Sequence, residues 1–505
     1  MSADSYRQIL RSSSIIGGAS VINIVVGLLR IKVAAVLLGP AGVGLIGLLT
    51  SLAGTAAAVA GMGLGNVGTR QIAEAAGRDD AAAVASVRRA IFWATLALAL
   101  LGAALFWALR DVLAARVLGD ASLAGDVGWL ALMVALTVAA GSQTALLNGM
   151  RRIGDLARVS VLSAVLSTLT GVGALLLWGR AGLIAFVIAG PLASFLLGHV
   201  YVARLPKVHA LRTPLPVLAE QWRILATLGA AFMLAGLAGT FGQLLVRTLV
   251  QRELGADALG YFQAASTISM TYIGFVLGAM STDYYPRLTA AIHDHAAVNR
   301  MVNEQTEVAL LLAGPVFLLM LGLAPWVIEL LYSSSFHAAA EVLRWQILGD
   351  VLKVASWPLG FVILAAGDGR TFMLIESLGI GVLLFLTWVG LPLMGVVATG
   401  VAFLGMYVVL LPGVYWLARR KTGFRWAPTV WRHLAWLMLA AVALLVVAEW
   451  SAMAGAAAGL IMGASLALYG FGRLAHKTSL TGPLGRLAGV CRERLMKMSV
   501  SRDSD

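Results

Sequence analysis

The sequence predicts an all-α polytopic membrane protein of about fourteen transmembrane helices. They are expected as two six-helix lobes in a parallel pseudo-twofold arrangement around a central cavity, plus a C-terminal helical hairpin. Three observations predict this. The 505 residues are 60% hydrophobic and only 12% charged, with a mean hydropathy of +0.89, about half the charged fraction of a soluble domain. Apolar runs long enough for membrane helices recur along the whole chain, far beyond the ~10-residue strands of a membrane barrel. A pattern in the first half also returns 216 residues later in the second.

Cutting at charges and turn formers gives the elements in order. The first span, 13–37, follows Arg7 and Arg11; it is too long for the apolar region of a signal peptide and reads as a retained helix. Spans 42–65, 89–109, 129–150, 155–177 and 181–203 complete an N-terminal lobe, 1–203. A cytoplasmic linker, 204–222, carries Pro206, Pro214 and Pro216. Spans 223–250, 257–282, 305–328, 340–365, 371–390 and 394–418 form a C-terminal lobe, 223–420. Spans 431–449 and 451–475 make the appended hairpin within 421–478, and 479–505 is a basic cytoplasmic tail. The connections leave no room for a sizeable soluble domain.

Charge sets the orientation. With both termini in the cytoplasm, 28 of the 37 Lys and Arg fall in inside segments, four outside and five within spans. That asymmetry satisfies the positive-inside rule and accounts for most of the net +13 without nucleic acid. The tail is expected in solvent, with contact to anionic membrane lipids as the alternative. Trp107, Trp129, Trp178, Trp326, Trp388 and Trp450 fall near outer ends and Trp222, Trp416 and Trp431 near inner ends, as interfacial indoles should. Cys491 is the only cysteine, which excludes an intrachain disulfide framework and a cysteine metal cluster. The seven histidines suggest no metal pair, and no cofactor or catalytic residue is expected. Gly61, Gly63, Gly65 and Gly68 end a span and follow no strand, so close helix packing fits them better than a phosphate loop.

The repeat is concrete. Leu28-Leu29-Arg30-Ile31-Lys32 and the later Leu38-Gly39-Pro40-Ala41-Gly42-Val43-Gly44 return in outline as Leu244-Leu245-Val246-Arg247-Thr248 and Leu254-Gly255-Ala256-Asp257-Ala258-Leu259-Gly260. Gly68-Thr69-Arg70-Gln71 corresponds to Tyr285-Pro286-Arg287-Leu288 with one residue of slippage. Six spans per copy preserve orientation, so the copies should be related by an axis along the membrane normal.

A charge at mid-bilayer costs roughly 2.5–3.5 kcal/mol on the insertion scale, so each needs a partner, a watery cavity or a path to the interface. Arg30 and Lys32 in span one, Arg247 in span seven, and Arg344 and Lys353 in span ten are the five cations at issue. Together they are expected to form a cationic, anion-binding cavity. Arg30, Lys32 and Arg247 have no acid at helical spacing, and snorkelling to the outer head groups is their bland alternative. Arg247 is the repeat equivalent of Ile31, between the first two, which favours the cavity. In span ten, Glu341 and Asp350 precede Arg344 and Lys353 by three residues, so structural pairing and a functional role both fit. Asp350 and Glu376 are the candidate sites for coupling to a proton or sodium gradient. Arg70, Asp283 and Arg287, near inner span ends, are candidates for an inner gate; an ordinary solvated helix end is the alternative.

The residues also carry a resemblance. Arg344-Trp345-Gln346-Ile347-Leu348-Gly349-Asp350-Val351-Leu352-Lys353-Val354, with the Gly39-Pro40 and Tyr285-Pro286-Arg287-Leu288 segments, resembles the Wzx-type O-antigen and enterobacterial common antigen flippases. These belong to the multidrug/oligosaccharidyl-lipid/polysaccharide exporter superfamily, and the likeness covers about 10–420. It implies a two-lobed transporter of the bacterial inner membrane that turns undecaprenyl-pyrophosphate-linked oligosaccharide from the cytoplasmic to the periplasmic leaflet by alternating access. The cationic cavity would then receive the pyrophosphate, through the forked donors of arginine and the point charge of lysine. A polysaccharide polymerase and assembly proteins are the expected protein partners. Family members usually have twelve spans, so the hairpin has no role assigned by the resemblance. The alternatives are a multidrug or small-molecule antiporter, whose cationic substrates would favour a carboxylate-rich cavity, and a membrane polymerase or glycosyltransferase, for which short outer loops supply no catalytic cluster.

Overall fold

Long apolar segments must satisfy their backbone groups internally in lipid, and helices do so within a single segment. The computed structural model describes residues 3–78, 80–205 and 215–478, and no strand occurs among them. The helices run α1 (Ala3–Ala60), α2 (Leu64–Gly77), α3 (Ala81–Ala108), α4 (Arg110–Leu113), α5 (Ala124–Gly149), α6 (Ile153–Trp178), α7 (Leu183–Ala203), α8 (Leu215–Ala290), α9 (His295–Gly322), α10 (Ala324–Leu331), α11 (His337–Ala365), α12 (Gly369–Met394), α13 (Val397–Thr422), α14 (Pro428–Trp450) and α15 (Ala452–Thr478). Residues 206–214 of the expected linker and the whole expected tail lie outside the described residues.

Ten helical stretches among the described residues are long and apolar enough to cross a membrane, or eleven with the bent pair Leu218–Leu234 and Gly236–Gly274. The sequence count of fourteen is higher because it divides stretches that the structure joins. Ile15–Ala60 is one stretch of 46 residues, about 69 Å at 1.5 Å per residue, more than twice the ~30 Å hydrocarbon layer. It covers most of both 13–37 and 42–65, with a break at Gly39, φ 66°. α8 likewise breaks at Gly255, φ 85°. Glycine takes this left-handed conformation without a Cβ penalty.

The duplication is visible in the helix order. α3, α5, α6 and α7 start at 81, 124, 153 and 183; α9, α11, α12 and α13 start 213–216 residues later. Asp80 caps α3 by accepting from the Ala83 amide at 2.9 Å, and Asp294 caps α9 by accepting from Ala296 and Ala297 at 3.1 and 3.0 Å. Such caps satisfy amides that a helix start leaves without partners.

The chain divides into two compact units: Met1–Gln263 with Leu331–Phe336, and Ala264–Leu330 with His337–Asp505. In unit one, α1 packs on α5 and α6, and α3 on α5. The segment between spans two and three, read as a connection, contains α2, which buries Leu64, Val67, Ile72 and Ala75. The second half of α1 crosses the second half of α8 so closely that a Cβ on Gly260 would strike the Pro40 carbonyl, and one on Gly44 would come within 2.6 Å of the Ala256 carbonyl oxygen. Residues 40 and 256, and 44 and 260, are equivalents at the 216-residue offset, so this crossing is locally two-fold.

In unit two, α11 is the most enclosed helix and packs on α9 and α13. The hairpin α14–α15 belongs to this unit and docks on α9. A Cβ on Gly459 would lie 2.9 Å from Gly322 Cα, and one on Gly463 would lie 2.7 Å from Leu319 Cγ. Small residues permit this backbone approach where lipid gives no hydrophobic drive for association. Asn303 of α9 also holds the connection into the hairpin: its Nδ2 donates to the Arg425 carbonyl at 3.0 Å and its Oδ1 accepts from the Ala427 amide at 2.7 Å. The nine tryptophans assigned to the interfacial belts all lie on the exposed surface.

Candidate functional site

The intramembrane charges form two groups, one in each unit. In unit one, Arg30 extends from α1 between α6 and α7. Its Nη1 donates to Ser167 Oγ at 3.2 Å, its Nη2 donates to the Phe186 carbonyl, and its guanidinium carbon sits 4.3 Å from the centre of the Phe186 ring. These contacts tie the cation into helix packing and leave it less free for a ligand than the sequence suggested. Its Nε is buried with no hydrogen-bond partner among the described residues. Lys32 is half-buried two residues further along α1.

Arg247 has a different environment. On α8, its Nε donates to Gln263 Oε1 at 2.9 Å and its Nη1 donates to both the carbonyl and the side-chain oxygen of Gln243 at 3.2 Å. Two of the three guanidinium nitrogens are therefore oriented by glutamines, while Nη2 makes no hydrogen bond among the described residues. A planar cation held through two of its nitrogens, with an amino group remaining, can donate to phosphate.

Unit two holds the acids. Asp350 is completely buried; its Oδ2 accepts from Ser269 Oγ at 2.7 Å and from the Tyr272 hydroxyl, while Oδ1 has no partner among the described residues. One turn earlier on α11, Gln346 Nε2 donates to Ser266 Oγ at 3.1 Å and Oε1 is buried without a partner among the described residues. Lys353 completes the stripe: its ammonium is 3.7 Å from Met270 Sδ and 5.8 Å from the centre of the Phe403 ring. It interacts electrostatically with both Asp350 and Glu376, and Tyr407 faces the same two carboxylates. The sequence paired Asp350 with Lys353 but missed Ser266, Ser269 and Tyr272. Their spacing of three on an apolar helix was the available signal, because it puts three hydroxyls near one face.

Arg344 stands apart from that stripe. Nine residues from Lys353, it points to the opposite side of α11 at 100° per residue. It is buried, its Nε lies 3.4 Å from the Leu321 carbonyl, and Glu341 and Glu449 act on it electrostatically. This favours the structural half of the sequence expectation for span ten. Of the candidate gate residues, Arg70 is exposed on α2 in unit one and Arg287 is exposed near the end of α8 in unit two; the Asp283 side chain is outside the described residues. Neighbouring Tyr284, which the sequence did not single out for itself, is buried, stacks on Trp357 with ring centres 6.2 Å apart and donates to the Pro358 carbonyl at 3.1 Å. No three His, Cys, Asp or Glu side chains among the described residues cluster as metal ligands.

Comparison with known proteins gives this geometry a context. The chain is 28% identical over 418 residues to proteins named Lipid III flippase from Escherichia coli (strain K12) and Shigella flexneri, with 80% of this chain and 97% of each relative covered. Among solved structures, the Lipid II flippase MurJ in an inward closed conformation superposes with a TM-score of 0.69 at 12% identity, covering 93% of this chain and 100% of that one. An inward-facing MATE family multidrug resistance transporter of the MOP superfamily gives a TM-score of 0.67 at 17% identity, covering 79% and 94%. At these identities the two structures show a shared transporter fold. The family described as polysaccharide biosynthesis protein matches residues 33–341, more than half of the sequence, and the chain belongs to that family.

Proposed function

We propose that the protein is a non-catalytic flippase that carries undecaprenyl-pyrophosphate-linked oligosaccharide from the cytoplasmic to the periplasmic leaflet of the bacterial inner membrane, for surface polysaccharide synthesis. Arg247 carries the reading at the level of the site: a half-buried intramembrane cation, oriented by Gln243 and Gln263, with Nη2 left to donate. The relatives named Lipid III flippase support the substrate class. Arg30 supplies positive charge to the same unit but is mainly a packing cation, and Lys32 adds a third charge on α1. Both termini are assigned to the cytoplasm by the distribution of Lys and Arg.

Coupling to a proton or sodium gradient is proposed for unit two. Asp350 Oδ1 and Gln346 Oε1 lie one turn apart on α11, both buried and without partners among the described residues. Unsatisfied buried oxygens are costly, and a proton or a sodium ion would satisfy them. Lys353 and Glu376 would adjust the charge there as the ion comes and goes. The expected protein partners, a polymerase and assembly proteins, belong to the same pathway reading.

A multidrug antiporter is the second reading, favoured by the fold shared with the MATE transporter. The two are separated by deleting the gene in its host and determining which leaflet holds polyprenyl-linked oligosaccharide. The flippase reading expects finished repeat units on the cytoplasmic leaflet, cleared by the intact protein and not by a folded Arg247→Ala variant. An unchanged lipid-linked pool, with no redundant transporter present, would favour the antiporter.

A further inference from the structure

Unit one contains an apolar cavity of about 420 Å³ that none of the charged groups uses. Trp93, Ala94 and Ala97 of α3 form one wall, Trp222 and Ala226 of α8 form another, and Met62, in the turn before α2, closes an end. Its frame is well fixed. Trp222 Nε1 donates to the Ala90 carbonyl at 3.1 Å, holding α8 to α3, and Gln71 Nε2 donates to Gln221 Oε1 at 3.0 Å, holding α8 to α2. Met62 takes a left-handed φ of 42° where the turn presses on α8; a Cβ on neighbouring Gly63 would lie 3.1 Å from Gly229 Cα.

Such a cavity offers water too few polar partners, and its lining lacks dispersion contacts until carbon fills it. Two further features narrow the occupant. Trp93 and Trp222 are 50% and 37% exposed, so the indoles edge an opening instead of being packed away. Arg89, Trp93 and Ala97 follow one another at intervals of four on α3 and share a face, which sets the Arg89 backbone one turn, about 6 Å, closer to the start of α3 than that of Trp93. The order is cationic group, aromatic rim, apolar cavity, and it complements an anionic head followed by a hydrocarbon chain. The indole faces and the Met62 thioether are polarizable, and the alanines leave notches between them. That relief suits a branched, unsaturated chain better than a straight saturated one.

We propose that this cavity holds the first isoprene units of the polyprenyl carrier on the cytoplasmic side of the membrane, with its phosphate toward Arg89. The proposal rests on the flippase reading and adds a tail-binding site to it.

The test uses the full chain in vesicles of phosphatidylethanolamine and phosphatidylglycerol containing a trace of polyprenyl phosphate with a diazirine in its second isoprene unit. Irradiation and peptide mapping are expected to place the label on the α3 segment around Trp93–Leu98 and the α8 segment around Trp222–Ala226. Ala97→Phe and Ala226→Phe, filling the cavity from opposite walls, are expected to reduce it about tenfold, the equivalent of roughly two buried methylene groups. Leu169→Phe, at an exposed position of α6, should leave it unchanged. If a filled variant does not fold, competition on the intact protein provides the reading: unlabelled polyprenyl phosphate should displace the probe, and added phosphatidylglycerol should not. Label spread evenly over exposed helices, equal labelling by a diazirine phosphatidylglycerol, or undiminished label in the folded filled variants would overturn the proposal. Because the probe carries no sugar, labelling here without oligosaccharide translocation would sink the function and spare the site. Translocation by a protein never labelled here would do the reverse.

Discussion

Gln263 occupies the space in front of Gly47, where a Cβ would lie 2.6 Å from the glutamine Cδ, and the two are repeat equivalents, 216 residues apart. Gln263 then accepts from Arg247 Nε at 2.9 Å. The duplicated helices are thus alike in course and unlike in chemistry. The first copy has Ile31 and Gly47 where the second has Arg247 and Gln263. The missing side chain in one copy provides room for the amide that orients the cation of the other.

This relationship predicts a non-additive pair. Gly47→Leu should displace the Gln263 amide, and Gln263→Ala should remove it; either is expected to slow translocation about tenfold, the worth of one hydrogen bond to a charged group. The double variant should be no slower than the single ones, because the same interaction is lost once. The cycle is measured with lipid-linked oligosaccharide in vesicles, and losses that simply add would disprove the coupling.

Asp350 predicts a split between folding and coupling. Asp350→Ala leaves the Ser269 and Tyr272 hydroxyls without an acceptor in a buried site, and stability should fall by roughly 2–4 kcal/mol. Asp350→Asn preserves volume and an accepting oxygen, so it should fold with a smaller loss. It cannot carry a proton, and translocation by it should no longer respond to an imposed pH or sodium gradient. A gradient response equal to that of the wild type would remove Asp350 from the coupling site.

At the start of α12, Asp368 forms a clamp outside the apolar spans. Lys421 Nζ donates to its Oδ2 at 2.7 Å, and the Thr371 hydroxyl and amide donate at 2.7 and 3.1 Å. The Lys421 bond, followed by those of Thr371, holds the carboxyl at about 2, below its ordinary 3.8. A depressed acid contributes stability above its unfolded pKa and loses that contribution as pH falls through the folded one. The melting temperature of Asp368→Asn should therefore lie below the wild type by a constant interval from pH 8 to 5. The interval should shrink between about pH 4 and 2, and 0.5 M salt should narrow it because the pair is partly exposed. An interval independent of pH across that window would mean that ionisation of Asp368 does not stabilise the fold.

Much of the fold was legible because apolar length and positive-φ glycines act locally: Gly39 and Gly255 stand in the repeated motif and also break the helices. α2 was missed because its apolar residues are few and separated by glycine, threonine and charge, so it reads as a connection. Intramembrane charges were legible as costs, while their partners were not. Ser167 lies 137 residues from Arg30, and Ser269 81 residues from Asp350; helical spacing within one segment cannot supply such pairs. Arg344 and Lys353 looked equivalent by charge and proved to lie on opposite sides of α11.

The appended hairpin gives the last prediction. Glu307 on α9 is 5% exposed, accepts from Arg473 Nε of α15 at 2.6 Å, and lies 4.0 Å from His433 Nδ1 of α14, so a single carboxylate joins three helices. Beyond that polar bolt, Gly459 and Gly463 bring α15 against Gly322 and Leu319. If glycine contact seats the helix, a large side chain should lift it even with the ion pair intact, at an overpacking cost of roughly 1–3 kcal/mol. Leu319→Cys with Gly463→Cys, in a Cys491→Ser background that removes the only native thiol, should cross-link on mild oxidation. Adding Gly459→Leu should slow cross-linking about tenfold, while Glu307→Gln, which retains an accepting oxygen for Arg473, should slow it far less. Equal cross-linking in the presence of Gly459→Leu would show that the polar bolt, and not the glycine contact, holds the hairpin in place.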